Sequence, residues 1–213
     1  MEKILVRGGK RLAGRVKISG AKNAALAILP AVLLASGKVS LSNIPDITDV
    51  RTMLRILEDL GMTIRRRGRN ALDFHPSRLR GHTPPYNLVQ KMRASSYLMG
   101  SLLARLGKAT VPVPGGCDLG PRPIDQHLKG FTALGAKCEI EHGLIKLTAK
   151  KLTGAHIYLD VVSVGATVNL MLAAAAAEGR TILENAAKEP EIVDLANFLN
   201  AMGAVIKGAG TDV

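Results

Sequence analysis

Apolar and polar positions change period several times along this chain, and the changes recur. Residues 1–19 alternate apolar and polar side chains, with Ile4 and Val6, then Val16 and Ile18, around Gly8-Gly9. A period of two on either side of a glycine pair predicts a short β-hairpin. After it the pattern repeats three times. Each unit opens with an apolar helix, over Lys22 to Ser36, Val89 to Leu106, and Val162 to Glu178, and the first and third are apolar almost all round. Stretches such as Ala24-Ala25-Leu26-Ala27-Ile28-Leu29 and Leu170-Met171-Leu172-Ala173-Ala174-Ala175 leave no polar face, so these helices are predicted to be buried on every side. Gly37, Gly107 and Gly179 follow them, where a C-capping glycine is expected.

Each unit then continues through a short β stretch and a loop into an amphipathic helix. Its apolar face is Val50, Leu54, Leu57, Leu60 in the first unit and Ile124, Leu128, Phe131, Leu134 in the second. In the third it is Ile192, Ala196, Leu199, Met202. The spacing of four, three and three is one helix face each time. A glycine follows every one (Gly61, Gly135, Gly203), and a strand then places Ile64, Cys138 and Ile206 in equivalent positions. The units run approximately over 22–88, 89–161 and 162–213, the last incomplete.

The repeat separates the two cysteines. Cys138 falls where the other units have isoleucine and reads as a core residue. Cys117 falls where they have Asn43 and Asn185. From the glycine after the first helix to that slot the chain takes six residues in units one and three (37 to 43, 179 to 185), but ten in unit two (107 to 117). The extra residues lie in Pro114-Gly115-Gly116-Cys117-Asp118-Leu119-Gly120-Pro121-Arg122-Pro123. Such a loop lets backbone N–H groups approach an anion, and a nearby guanidinium favours the thiolate. A buried thiol in a tight connection is the plainer reading of the loop alone. An insertion in one of three matched units is better explained by function.

Helix starts carry the remaining candidates. Lys22 and Asn23 open the first buried helix, Arg93 lies near the start of the second, and Ser163-Val164-Gly165 opens the third. Free N–H groups and the helix dipole attract anions there. Asp125, Gln126 and His127 follow Pro123 in the first turn of the second amphipathic helix and read by default as solvated surface residues.

Composition narrows the class. The 213 residues are 47% hydrophobic but only 3% aromatic, so the core is aliphatic, and the net charge is +12. That charge, with Arg65-Arg66-Arg67-Gly68-Arg69, invites a non-catalytic nucleic-acid-binding reading, but few aromatics are present to stack on bases. A small polyanionic substrate accounts for the charge equally well. No apolar run reaches membrane-spanning length, no signal-peptide profile opens the chain, and neither a disulfide framework nor a metal-ligand spacing stands out. A reduced, cytoplasmic α/β protein is expected, with no nucleic-acid or membrane partner and no metal or cofactor.

The motifs Ser19-Gly20-Ala21-Lys22-Asn23-Ala24, Lys91-Met92-Arg93-Ala94-Ser95, Pro114-Gly115-Gly116-Cys117, Arg122-Pro123-Ile124-Asp125, Ser163-Val164-Gly165-Ala166-Thr167 and Glu184-Asn185-Ala186-Ala187-Lys188-Glu189-Pro190-Glu191-Ile192-Val193-Asp194 resemble those of the bacterial UDP-N-acetylglucosamine 1-carboxyvinyltransferases, enolpyruvyl transferases of peptidoglycan synthesis. The resemblance runs the whole chain. It implies one lobe, over 22–213, of an inside-out α/β barrel fold made of three repeated units with buried helices and outer sheets. It also implies that residues 1–21 belong to a second lobe, which the chain lacks. The reaction it implies transfers the enolpyruvyl group of phosphoenolpyruvate to the 3-hydroxyl of UDP-N-acetylglucosamine. Cys117 would be the catalytic acid, and its presence implies sensitivity to epoxides such as fosfomycin. Lys22, Asn23 and Arg122 would bind phosphoenolpyruvate. Arg93, Arg122, Pro123, Ile124, Asp125, Gln126, Ser163, Val164 and Gly165 would bind the sugar nucleotide. Val161 stands where some members carry lysine, which removes one charge contact to the diphosphate. The family's aspartate base lies in the second lobe, so the chain alone is expected not to turn over. The shikimate-pathway enolpyruvyl transferase shares the architecture but has no use for a loop cysteine.

Overall fold

The computed structural model describes residues 3–76, 79–113 and 124–213. The first unit contains α1 (Lys22–Ala31), β1 (Val39–Leu41), α2 (Thr48–Asp59), β2 (Thr63–Gly68) and β3 (Ala71–His75). The second contains α3 (Tyr86–Val89), α4 (Leu98–Leu106), β4 (Lys108–Pro112), α5 (Asp125–Ala133), β5 (Lys137–Glu141) and β6 (Leu144–Thr148). Then come β7 (His156–Tyr158), α6 (Val164–Ala174), β8 (Ile182–Glu184) and α7 (Pro190–Ala201). Two antiparallel sheets share one topology, β1-β3-β2 and β4-β6-β5, with the last strand of each unit in the middle. The third sheet pairs β7 with β8 in parallel.

Sequence repetition becomes geometric repetition at the amphipathic helices. α2, α5 and α7 each end on a glycine with positive φ, Gly61 (104°), Gly135 (92°) and Gly203 (106°). The next N–H reaches back to the carbonyl five residues earlier: Met62 to Leu57 (2.9 Å), Ala136 to Phe131 (3.0 Å) and Ala204 to Leu199 (3.1 Å). This is the Schellman closure, which needs the left-handed residue that glycine supplies without strain. Asn43 (φ 60°) and Asn185 (φ 55°), the paired turn positions, are likewise left-handed, a region asparagine tolerates better than most residues.

The buried helices pack on one another inside these layers. A side-chain carbon at Gly100 would lie 2.3 Å from the Asn169 carbonyl oxygen, so α4 and α6 touch backbone to backbone. Asn169, fully buried, accepts a hydrogen bond on Oδ1 from the Gly100 N–H (2.8 Å) and donates from Nδ2 to the Gly165 carbonyl (3.2 Å). Gly130 leaves room on α5 for the Leu170 side chain of α6.

Several expected elements differ. Residues 3–21 form no strand, and Ile4, Val6, Val16 and Ile18 are more than 80% exposed. Alternation cannot make a hairpin that finds no apolar surface to cover. The second buried helix is broken: a 3-10 turn at Arg93–Tyr97 separates α3 from α4. Ser95 Oγ donates to the carbonyls of Val89 and Met92, competing with helical pairing. Of the three capping glycines only Gly107 (φ 66°) closes its helix. α1 contains Pro30, which has no N–H to donate, and tightens into a 3-10 turn at Val32–Leu34. α6 gives way to shorter-range turns before Glu178 bridges to Thr153. Ile206 lies in no strand; the Asn200 side chain satisfies its backbone instead. Cys138 is half-buried at the edge of the core, where burial pushes its thiol up.

His127 and Gln126 are buried, contrary to the solvated reading, because the first turn of α5 packs against the start of α6. Burial, opposed by the Asp125 carboxylate and a hydrogen bond with the Gly165 backbone, lowers the His127 pKa to about 4.

Two outcomes are expected. Gly100→Ala forces α4 and α6 apart and costs about 1–3 kcal/mol in denaturant unfolding; an unchanged midpoint would show that the crossing yields easily. The unfolded chain protonates His127 near the ordinary 6.5, the folded one only near 4. Stability linked to neutral His127 is therefore fully present above about 6.5 and lost as pH falls to 4, by roughly 3 kcal/mol. Denaturant midpoints at pH 7.5 and 4 should thus converge in His127→Gln relative to the parent chain.

Candidate functional site

Helix N-termini from all three units gather at one end of the lobe, linked by side-chain contacts. Lys22, first residue of α1, forms an ion pair with Asp49 in the first turn of α2. Asn23 Nδ2 donates to Glu191 Oε1 in the first turn of α7 at 3.0 Å. Glu191 acts electrostatically on Tyr97, the last residue of the Arg93–Tyr97 turn, whose hydroxyl pKa is raised first by burial and then by that carboxylate. Arg93 opposes the shift. A side chain at Gly165 would meet His127 Nε2 at 2.9 Å and the Tyr97 ring at 3.9 Å, so α5, α6 and the 3-10 turn share one junction.

The local sequence explains how each start is built. Ser163 caps α6, its Oγ accepting from the Ala166 N–H at 3.3 Å. Thr167 Oγ1 donates to the Ser163 carbonyl (2.9 Å) and accepts from the Ala187 N–H (3.0 Å), tying that turn to the segment before α7. Ile124 leads into α5, and Asp125 is exposed in its first turn. Gln126 donates to Asp125 Oδ2 (2.9 Å) and Asp160 Oδ2 (3.1 Å), and accepts from the Asp160 N–H (2.8 Å). Lys129 pairs with Asp160 at 2.6 Å. Lys129 first, then Gln126, holds the Asp160 carboxyl below its ordinary range.

The structure thus places Lys22, Asn23, Arg93, Ile124, Asp125, Gln126, Ser163, Val164 and Gly165 at this end. Cys117, Arg122 and Pro123 lie outside the described residues. Gln126 does not stand free but joins α5 to Asp160. Val161 is exposed beside the start of α6. Sequence reasoning gave no role to Asp49, Glu191, Asp160 or Tyr97. Carboxylates in a helix's first turn are commonplace dipole partners, so nothing marked Asp49 and Glu191 as neighbours of Lys22 and Asn23. The junction offers cations and helix N–H groups to an anion, with carboxylates occupying Lys22 and Asn23. No group of three or more potential metal ligands exists among the described residues, and no helix among them is long and apolar enough to cross a membrane.

Comparison with known proteins places this arrangement. A protein of Caldanaerobacter subterraneus named UDP-N-acetylglucosamine 1-carboxyvinyltransferase 3 is 59% identical over the whole chain. One of Listeria monocytogenes named UDP-N-acetylglucosamine 1-carboxyvinyltransferase 2 is 56% identical over 99% of it. The chain spans about half the length of these relatives (51% and 50%). Among solved structures, the enolpyruvyl transferase NikO of Streptomyces tendae covers 96% of the chain with a TM-score of 0.81 at 27% identity, the chain spanning 48% of it. EPSP synthase of Acinetobacter baumannii covers 93% with a TM-score of 0.72 at 20% identity, the chain spanning 45% of it, a likeness of fold alone. The sequence family described as EPSP synthase (3-phosphoshikimate 1-carboxyvinyltransferase) matches residues 6–213, and the chain belongs to that enolpyruvyl transferase family.

Proposed function

We propose that this chain forms one lobe of an enzyme transferring the enolpyruvyl group of phosphoenolpyruvate to the 3-hydroxyl of UDP-N-acetylglucosamine, with release of phosphate. The observation that carries the reading is identity of 54–59% along the whole chain to relatives bearing that activity in their names. Both substrates are polyanions, and the gathered helix starts with Lys22 and Arg93 suit them. In the first step the sugar oxygen bonds to C2 of phosphoenolpyruvate, C3 gains a proton and the hydroxyl loses one. In the second, C3 loses a proton and the C2–phosphate oxygen bond breaks. The enol ether and phosphate result.

Within that scheme Cys117 supplies the C3 proton and, as a thiolate, is the nucleophile open to fosfomycin. Lys22, Asn23 and Arg122 hold phosphoenolpyruvate; the Lys22–Asp49 and Asn23–Glu191 contacts are what the incoming anion displaces. Arg93, Arg122, Pro123, Ile124, Asp125 and Gln126 bind the sugar nucleotide, together with the Ser163-Val164-Gly165 turn. Residues 1–21, whose apolar side chains find no cover here, pair with a second lobe. That lobe also supplies the base for the hydroxyl and the closure that aligns the substrates. A cytoplasmic location follows from these metabolites.

Fusing this chain to the second lobe of the Caldanaerobacter relative tests the function. Phosphate release should require phosphoenolpyruvate and UDP-N-acetylglucosamine together, and the unfused chain should give none. Release with shikimate 3-phosphate instead would transfer the chain to the shikimate reaction. In the fusion, Lys22→Ala should lower kcat/KM for phosphoenolpyruvate at least about tenfold with an unchanged melting temperature; a lowered melt with kinetics intact would make Lys22 structural. Brief alkylation of the folded chain, read by mass spectrometry, should label Cys117 ahead of Cys138, and the reverse order would remove Cys117 from the acid's role.

A further inference from the structure

The first two units carry matched antiparallel sheets, and in each the strand after the amphipathic helix lies at an edge, β2 beside β3 and β5 beside β6. Among the described residues nothing pairs with either strand on its outer side. An open edge presents unpaired N–H and C=O groups, and charged side chains are the ordinary guard against unwanted pairing. The two edges are guarded differently. Residues 137–148 hold two lysines and two glutamates, which neutralise one another: Lys137 pairs with Glu139 and Lys146 with Glu141, each at 2.6 Å. Residues 63–75 hold four arginines and a single carboxylate, Asp73.

The surplus charge is exposed on both faces of β2. On the outer face Asp73 is already engaged, by Lys38 at 2.8 Å and by the Ser40 hydroxyl, which donates to it at 2.7 Å. Arg67 reaches Asp73 only at 3.7 Å, and Arg65, opposite Asp73 in register, forms no ion pair with a described residue. On the face shared with Ile64, Arg66 extends beyond the core and lines a shallow dent with Arg69, Asp46, Val50 and Leu54. Asp46 is itself taken, by Arg51 at 2.6 Å. Arg51 first, with Arg66 and Arg69 adding to it, holds that carboxyl below its ordinary range. Three guanidinium groups thus crowd one carboxylate, and Arg65, Arg66 and Arg69 have no described acid at contact distance.

We propose that the open edge of β2 is the docking site for an acidic, extended segment of a protein partner, which adds to the sheet as a further strand. Main-chain hydrogen bonds to β2 hold the segment, and its carboxylates beside the arginines form favourable cross-strand pairs. The register shift between Arg66 and Gly68 confines regular pairing to residues 63–66. A second copy of this chain does not fit, because β2 against β2 sets arginine against arginine. A nucleic acid finds no surface for base stacking, since Phe74, the one aromatic residue of this sheet, is buried. A lipid surface finds no apolar side chain to take up, because no large hydrophobic residue is exposed among the described residues from 38 to 76. The inference rests on the sheet edge and its charge and is independent of the enzymatic reading.

The test uses the peptide Thr-Glu-Val-Glu-Val-Glu-Thr, whose alternation puts the glutamates on one face of a strand, beside Arg65 and Arg67, and the valines on the face of Ile64. Glu-Glu-Glu-Thr-Val-Val-Thr, of equal composition and charge but without alternation, is the control. With the first peptide, hydrogen exchange in the full chain is expected to slow at least about tenfold at the outward-facing amides of residues 63–66 and to stay unchanged in residues 137–141. The control should protect neither. Arg65→Gln combined with Arg66→Gln should weaken the first peptide about fivefold or more at an unchanged melting temperature, and Lys137→Gln should leave its affinity as it was. Absence of protection in residues 63–66, or equal binding of the two peptides, would overturn the proposal. Tighter binding of a duplex DNA oligonucleotide or of phosphatidylglycerol vesicles than of the first peptide would overturn it too, by making the arginines a general polyanion surface.

Discussion

The lobe depends on the contact between the Gly100 backbone and Asn169. A helix with no polar face must find apolar neighbours on all sides, and two such helices pack closely only where one gives up its side chain. Gly100 does so for α4, and Gly130 does so for α5 against the same α6. The single buried amide at the crossing then has to be satisfied. Asn169 is, by the Gly100 N–H and the Gly165 carbonyl. Because Gly165 lies in the first turn of α6, the bond that makes the crossing tolerable also fixes the helix start facing His127 and Tyr97.

Charge at that end is loosely held. Lys22 and Asp49 pair with the lysine side chain 54% exposed, so solvent screens their attraction and separating them costs little. Asn23 and Glu191 are similarly accessible. An anion that takes Lys22 from Asp49 exchanges one charge partner for another and gains free helix N–H groups besides. His127 behaves oppositely. Buried and lowered to about 4, it stays neutral near pH 7 and contributes shape, not charge.

Much of this was readable before any coordinate. The spacing of Val50, Leu54, Leu57 and Leu60, recurring twice with a glycine after it, located α2, α5 and α7 and their closures. The repeat also matched Asn43 with Asn185, and both take the same left-handed backbone. What escaped was decided by tertiary context. Nothing in residues 89–106 separates an unbroken helix from one interrupted by Ser95, because that depends on which carbonyls the hydroxyl reaches. Alternation in residues 1–19 describes a strand only when a surface exists to cover it, and the described lobe presents none to Ile4 or Val16. Ile206 sits in the slot of Ile64 and Cys138, yet forms no strand, since both of those strands exist by pairing with a central one. Gln126 and His127 looked solvated because their burial comes from α6, distant in sequence.

The same considerations separate what the fold requires from what it leaves open. EPSP synthase from Acinetobacter baumannii keeps the fold at 20% identity, so the backbone arrangement tolerates replacement of most side chains. Helix crossings, Schellman closures and central strands are satisfied by residue class: small, left-handed-tolerant, apolar at alternate positions. None of these requirements mentions a substrate. Differences between the three units are of another kind, because the scaffold gives each unit equivalent positions and the sequence equips them unequally. Lys22 and Asn23 open α1, Ser163 and Gly165 open α6, and Arg93 stands on a 3-10 turn where the other units continue as helix. Unequal equipment on matched supports separates the residues that the helix crossings require from those at the helix starts, which differ from unit to unit while the crossings beneath keep one geometry.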